Sequence, residues 1–462
     1  MRGTVQVRAE AVEEACAQLM EEIAFDPADP KAALAELPRG PAVFALYGAE
    51  VHAEPYIGRT PNLRARLERL LQPSAKHPRR LQLAGRVRRI AWRLTGSEFE
   101  SLLVQFELLQ NQYGTKSLDR MHLNAPAFVR FLGGNPYPRV TITHRPSWRE
   151  SDWAYGPFAS RAAAERYVDE ALKLFLLRRC TFDLNPDPSY PGCVYSEMKM
   201  CLAPCYKGCT DERYAQEGAA VESFLATCGE SRLVTLRARR DEASADLEFE
   251  SAAALHAQVQ RVEAVRALAP ELVRPMSRLR AVILQASAQP DEVAVFLFEN
   301  GRLRGPAAFS TLGMRIQNEQ SGSSSLYAQP IAIEPIPEQP GNTEQGSEDG
   351  AETGSDLTPG GANQQETGDC APATHTAPAK IPRSMLEARL EAALSAPARG
   401  NPTSATVRQG HLALLKRWYY RPEVRREGEI FFPDPEGRWP TKAILRGIGR
   451  VAGKTLVAMT RE

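Results

Sequence analysis

Two stretches carry residue types that could do chemistry. The first is "EPYIGRTPNLRARLERLL", residues 54–71, where Tyr56, Gly58 and Arg59 run into a segment holding Arg64, Arg66 and Arg69. Guanidiniums beside a tyrosine can hold a phosphate, and a phenol hydroxyl can take or pass a proton. A lone tyrosine at a strand end is by default a core aromatic; the adjoining Gly58, Asn62 and Arg66 favour binding. The second stretch runs from Cys180 to Cys209 and holds five of the chain's eight cysteines. Four thiolates can bind zinc or an iron–sulfur cluster, and the tight "CLAPC" pair, residues 201–205, suits either. Reduced, part-buried thiols are the alternative, and the spacing favours a metal. Cys209 is a further candidate ligand. Cys16, Cys228 and Cys370 suggest no role.

Charge adds a partner. The formal net charge of +1 hides an asymmetry. Residues 316–379 contain ten acids and no Lys or Arg, whereas residues 59–93 hold eleven Lys/Arg against one acid, Glu68. A basic body with an acidic insert fits a polyanion such as DNA. Arg59, Arg64, Arg66, Arg69, Arg79, Arg80, Arg86, Arg88 and Arg89 are then candidate phosphate contacts, which need only charge and placement. No run of eighteen apolar residues is present, so neither a transmembrane helix nor a membrane partner is expected. The N-terminus carries acids throughout and lacks an apolar signal core, which points to the cytoplasm.

The elements that must position these groups can be read from periodicity. Residues 8–24 read as a leader helix. "PAVFALYGAEVHAEPYIG" (41–58) reads as two strands and a turn, and leucines 63, 67, 70 and 71 form a helical stripe. "RVRRIAWRLT" (86–95) is a strand, and Ser97 caps a helix over 97–114. A strand at 135–144 and a helix at 160–177 precede the cysteines. Residues 211–267 read as a pair of long charged helices. Residues 278–310 alternate like strands, with Asn300-Gly301 marking a hairpin. Residues 316–382, rich in Pro, Gly, Ser and Glu, read as disordered. In the tail, Trp418, Tyr419 and Tyr420 sit among arginines and could stack on bases. "GEIFF" and "KAILRGIGRVAGKTLVAM" instead suggest a folded unit with these aromatics in its core.

In order along the chain stand "LPRGPAVFAL", "PYIGRTPNLRARL", "ESLLVQFELL", "YGPFASRAAAERYVDEALKLFLLRRC", "PGCVYSEMKMCLAPC" and "LEFESAAALHAQVQRVEAV". This order resembles the N-terminal two-thirds of the UvrC family of bacterial nucleotide-excision-repair excinucleases, over roughly residues 35–310. The resemblance implies a GIY-YIG nuclease domain, a cysteine region and a UVR segment that docks to UvrB, another component of the excinuclease. It also implies an iron–sulfur cluster on Cys180, Cys193, Cys201 and Cys205, with zinc as the alternative. The family's RNase H-like second nuclease and tandem helix-hairpin-helix are not seen in the sequence.

GIY-YIG enzymes use one divalent metal held by a glutamate, a tyrosine that helps activate water and an arginine on the phosphate. Carried over, the catalytic positions are Tyr56, Arg66 and, where the family has lysine, Arg59. The first-half tyrosine falls on Phe44, which has no hydroxyl. The metal glutamate falls on Gln105, a poor magnesium ligand. A further family tyrosine falls on Leu70 and an asparagine on about Phe128. The site is therefore expected to be impaired, with Mg2+ needed only if it is active. The rival alignment gives the work to Tyr47 and to Glu100 or Glu107. In the UVR-like helix, Phe249, Leu255 and Val259 would meet the partner; an ordinary hairpin packed on this chain is the competing reading.

The expected architecture is α+β and multidomain. A leader (1–34) precedes a small mixed-sheet GIY-YIG-like domain (35–120) and a middle region with the cysteine-rich helical module (121–210). A helical hairpin (211–270), a short β segment (271–315), a disordered acidic linker (316–382) and a small basic α+β tail (383–462) follow.

Overall fold

The computed structural model describes residues 21–50, 53–71, 83, 85–312, 314, 382–395 and 404–459. Among these residues are three four-stranded sheets, and every strand pairing is antiparallel.

The first sheet has the order β1-β4-β2-β3, built from Glu21–Ala24 (β1), Ala42–Gly48 (β2), Tyr56–Thr60 (β3) and Val87–Leu94 (β4). It is not mixed: the short β2–β3 connection makes a hairpin, and β4 returns antiparallel to β2. Glu21–Ala24 is a strand on β4 and not the end of a leader helix; acid-rich periodicity gave no sign of that distant pairing. The rest of the leader lies outside the described residues. A helix, Pro30–Glu36 (α1), leads into β2.

Strand alternation sends Phe44 and Leu46 to one face, where Leu63, Leu67 and Leu71 of Leu63–Leu71 (α2) cover them. Val43, Ala45 and Tyr47 point to the other face, against Val104 and Leu108 of Glu98–Tyr113 (α3). Both faces are covered, which is why β2 reads as an unbroken apolar run. Ser97 caps α3, accepting from the Glu100 amide at 3.1 Å. A short helix, Ser117–Arg120 (α4), follows.

The second sheet has the order β6-β5-β7-β8, from Ala127–Phe131 (β5), Val140–Thr143 (β6), Ala154–Phe158 (β7) and Arg274–Pro275 (β8). Its core is closed by Arg161–Leu172 (α5) and, past a one-turn helix Val194–Glu197 (α6), by Asp211–Ala226 (α7), Glu230–Ala245 (α8) and Phe249–Ala267 (α9). Residues 211–267 thus form three helices, not two: Gly229, at φ +85°, breaks the first from the second.

The third sheet has the order β11-β10-β9-β12, from Ala281–Ala286 (β9), Glu292–Glu299 (β10), Arg302–Ser310 (β11) and Glu429–Phe431 (β12). Asn300 (φ +51°) and Gly301 (φ +75°) make the tight turn between β10 and β11. One face of this sheet (Ile283, Phe296, Phe298) packs with Phe99, Leu103 and Phe106 of α3 and with Leu412, Leu415 and Trp418 of Ala405–Tyr419 (α11). The other face (Val282, Leu284, Val295) packs on Leu390 of Arg383–Ser395 (α10) and on Ile444 and Ile448 of Thr441–Met459 (α12). The stretches 281–310 and 383–459, read separately in the sequence, share one sheet and one core. Apart from Met314 and Pro382, residues 313–382 lie outside the described residues.

Helices α3 and α11 approach closely at Gly410. A Cβ at Gly410 would sit 2.0 Å from the Phe106 ring. Gly410→Ala should therefore lower stability by about 1–3 kcal/mol, against the gain in helix propensity. Chemical denaturation should show this, and the loss should shrink in a Phe106→Leu background. An additive double variant would contradict it.

Candidate functional site

At the β2–β3 edge, Phe44 lies opposite Gly58 and Leu46 opposite Tyr56, so Phe44 and Tyr56 share a face. Their rings are 6.1 Å apart and tilted by 38°. Phe44 is 1% exposed and Tyr56 38%. The Phe44 ring occupies the space above Gly58, where an added Cβ would meet Phe44 Cζ at 2.8 Å. Tyr47 is buried on the opposite face, with the Arg89 guanidinium 4.3 Å above its ring. Alternation thus places Tyr47 away from Tyr56, against the rival alignment.

The arginines fall into groups. Arg64 Nε donates to the Leu37 carbonyl at 2.7 Å and Arg69 Nε to the Ala65 carbonyl at 3.0 Å. Arg88 donates to the Gly85 and Val87 carbonyls, and Arg89 pairs with Glu22 at 3.0 Å. Arg66 is part-exposed and Arg86 exposed, and neither has an ion pair among the described residues. Arg79 and Arg80 lie outside the described residues. Exposed partners of this kind contribute little, so phosphates can replace them.

Arg59 is tied down more firmly. It meets Glu98 at 3.2 Å, and Glu98 also takes a bidentate pair from Arg421, both bonds 2.8 Å. Hydrogen bonding from Arg421, with the charges of Arg421 and Arg59, holds the Glu98 carboxyl below its usual range against the opposing effect of burial. Sequence reading missed this residue. An acid in a helix's first turn looks like ordinary capping chemistry, and its partner is 323 residues away.

The α3 carboxylates are engaged elsewhere. Glu100 is buried; it accepts from the Gly96 amide at 2.9 Å and lies 3.7 Å from Arg93. Glu107 keeps partial exposure as a residue, yet desolvation pushes its carboxyl up to about 7 against the pull of Arg93 and Arg302. Gln105 is part-buried between them in sequence. Leu70 packs on the first core, and Phe128 is buried in the second sheet.

The cysteine module is a chain of tight turns. Lys199, Ala203 and Lys207 adopt positive φ, and a single 3-10 turn, Pro204–Tyr206, carries Cys205. The Ala203 amide donates to Cys201 Sγ at 3.3 Å, and the Asp187 amide donates to the Cys205 carbonyl at 2.9 Å. Burial pushes the Cys201 thiol up to about 11, and the charges of Cys180, Cys205 and Cys193 act in the same direction. Burial also pushes the Cys209 thiol up, against the pull of Arg213. Among the described residues no three His, Cys, Asp or Glu side chains are gathered closely enough to hold a metal ion. The donor set suits a thiolate-bound metal in type, and the loops would have to close further to grip one.

In the helical hairpin, Leu255 and Val259 turn inward with Val262 and Val265, onto this chain's own core. Of the three residues expected to meet a partner, Phe249 alone is outside, 68% exposed next to an equally bare Leu247 at the hairpin tip. Arg237–Glu263 and Arg266–Glu230, each 2.8 Å, strap the two helices together. In the tail, Trp418 is buried and donates to the Glu427 carbonyl, and the Tyr420 hydroxyl donates to the Pro157 carbonyl. Trp418 is core, as "GEIFF" suggested, and is not free to stack on bases; Tyr419 and Tyr420 are part-buried against the same core. No helix among the described residues is long and apolar enough to cross a membrane.

A family model described as "UvrC/Cho excinuclease, middle domain" matches residues 128–224. The UvrABC system protein C of Alcanivorax borkumensis is 31% identical over 240 residues, 52% of this chain and 39% of that one. That of Escherichia fergusonii is 30% identical over 244 residues, again 52% and 39%. The chain is UvrC-like. It spans about two fifths of the length of these curated relatives. The middle-domain match covers β5 to β7, α5, the cysteine module and most of α7 of the UvrC-like chain. No solved structure matches it.

Glu107 yields a test of the α3 packing. Its carboxyl ionises near 4.5 when solvated and near 7 in the fold. The folded state holds the extra proton between those values, so the glutamate costs stability as pH rises through that window. Glu107→Gln should stabilise the protein at pH 8 by on the order of 2 kcal/mol. The gain should fade toward pH 4 in denaturant titrations. A pH-independent difference would refute the buried-carboxyl account.

Proposed function

We propose that this chain binds DNA in nucleotide excision repair through the arginine-bearing face of its first sheet and α2, and that its GIY-YIG-type site does not cut. The observation that carries the second clause is Phe44, buried against Gly58, where the reaction needs a phenol. The Gln105 amide at the metal position supports it. Tyr56 and Arg66 stay accessible, and phosphate binding requires only such cations. An active, Mg2+-dependent endonuclease making one incision is the rival, favoured by the retention of Tyr56 and Arg66. A non-catalytic regulatory protein that binds DNA or protein outside repair is the third reading.

Two further parts belong to the proposal. Cys180, Cys193, Cys201 and Cys205 would hold an iron–sulfur cluster, or zinc, when the module closes. Such a centre, once bound, ties the turns of the segment together through metal–thiolate bonds. The hairpin tip, with Leu247 and Phe249 bare, would dock to UvrB by burying those two side chains. The soluble compartment expected for such a protein is the cytoplasm.

Two assays separate the readings. Arg66→Ala and Arg86→Ala should each weaken DNA binding several-fold at about 0.1 M salt. Each should also reduce the slope of log K against log salt by about 1. Unchanged affinity in both would remove the arginine face from the interface. On damaged plasmid with Mg2+ the wild-type chain should give no nicks. Nicking that Tyr56→Phe abolishes would establish the endonuclease instead.

A further inference from the structure

Helices α5, α8 and α9 line a cleft of about 640 Å3. Its lining carries four cations from different elements: Arg166 on α5, Lys173 just after it, Arg232 on α8 and Arg261 on α9. Glu170 is the one carboxylate among the lining residues, and Lys173 already holds it at 2.7 Å. Arg166, Arg232 and Arg261 have no ion pair among the described residues. Arg232 lies over the Phe175 ring, 5.4 Å from its centroid, and its Nε is buried without a hydrogen-bond partner. The lining is otherwise largely aliphatic, and Leu236, Val262 and Val265 belong to the second sheet's core, so the cleft has a firm floor. Elsewhere α8 and α9 match arginine with glutamate, in Arg237–Glu263 and Arg266–Glu230 at 2.8 Å each. On this cleft the same helices bring arginines together without acids. Like charges gathered around an apolar floor repel, and an anion between them removes that repulsion.

We propose that this cleft is a phosphate-monoester site, for a free nucleotide or for the 5′-terminal phosphate of a DNA strand. Arg232 is its anchoring cation, with Arg166 and Arg261 contributing from the neighbouring helices. A phosphate monoester brings a charge of about −1.5 to −2 and three acceptor oxygens, which three guanidiniums can share. A single carboxylate would leave most of that positive charge unmet. The volume falls within the roughly 300–1,000 Å3 of small-ligand clefts, and the aliphatic floor accepts the sugar and base. The cleft shares no residue with the arginine face of the first sheet and α2, so this inference stands apart from the DNA-binding reading above.

The experiment titrates the full chain calorimetrically with four probes: dAMP, one short oligonucleotide in 5′-phosphorylated and 5′-hydroxyl forms, and a phosphoserine peptide. It is carried out on wild type, Arg232→Met, Arg166→Gln, Arg261→Gln and, as a control on the exposed surface of α8, Arg239→Gln. Wild type should bind dAMP, and Arg232→Met should weaken that binding about tenfold. Arg166→Gln and Arg261→Gln should each weaken it several-fold, and Arg239→Gln should match wild type. Preference for the 5′-phosphorylated oligonucleotide over its 5′-hydroxyl form, lost in Arg232→Met, supports the site and names a DNA end as the source. Binding of dAMP without that preference supports it and names a free nucleotide. At low salt dAMP should also raise the thermal midpoint of wild type more than that of the Arg166→Gln/Arg261→Gln double variant. If Arg232→Met fails to fold by circular dichroism, Arg166→Gln and Arg261→Gln carry the test. Equal affinity for dAMP and for the 5′-phosphorylated oligonucleotide in wild type and in those two variants overturns the site. So does binding of the phosphoserine peptide with neither dAMP nor a 5′-phosphate preference. Neither result bears on Arg66 and Arg86, whose DNA affinities test the other reading.

Discussion

The rest of the molecule depends on α3 being packed on two sides. One side, Val104 and Leu108, closes the first sheet. The other, Phe99, Leu103 and Phe106, enters a core shared with the third sheet and α11. A helix used in this way cannot rotate to suit a metal. Its register is fixed by the Phe106–Gly410 contact and by Gly96, whose α-carbon leaves no room for a side chain against Ser287. The position of Gln105 is consequently set by packing, as are the environments of Glu100 and Glu107. On the proposed reading, a carboxylate placed at Gln105 would enter a frame built around burial, and catalytic geometry tolerates errors of about an ångström poorly.

Glu98 extends this constraint to the charged surface. It is the first residue of α3, and it receives both Arg59 from the first sheet and Arg421 from just past α11. The carboxylate therefore joins the arginine face to the C-terminal elements. A phosphate approaching Arg59 would compete with a carboxylate that already accepts two hydrogen bonds from Arg421. Arg66 and Arg86 face no such competition. Within one basic face, the cations differ in availability because some have been recruited to hold the fold, and a count of arginines cannot reveal which.

Much of the local structure was legible because it follows from short periods. Alternation in "AVFALYG" separated Phe44 from Tyr47, and the structure places them on opposite faces. Ser97 as a cap and Asn300-Gly301 as a turn are likewise written in adjacent residues. What escaped the sequence joins residues far apart. The pairing of Glu21–Ala24 with β4 depends on an edge more than sixty residues on. The pairing of β12 with β9 bridges a whole acidic segment. Arg178 escaped for a different reason. An arginine in "FLLRRC" looks like a surface charge closing an amphipathic helix, yet Arg178 is buried and donates to the Tyr137 and Phe182 carbonyls.

The two halves of the candidate function make unequal demands on the chain. Holding a polyanion needs positive charge at roughly spaced points, which many arrangements of arginine supply. Cleaving a phosphodiester needs a hydroxyl, a carboxylate and a cation placed together, and losing one group removes most of the rate. Phe44 satisfies the sheet better than a phenol would, since its ring is buried on Gly58 with no hydroxyl to satisfy. Packing alone thus accounts for a phenyl ring at that position.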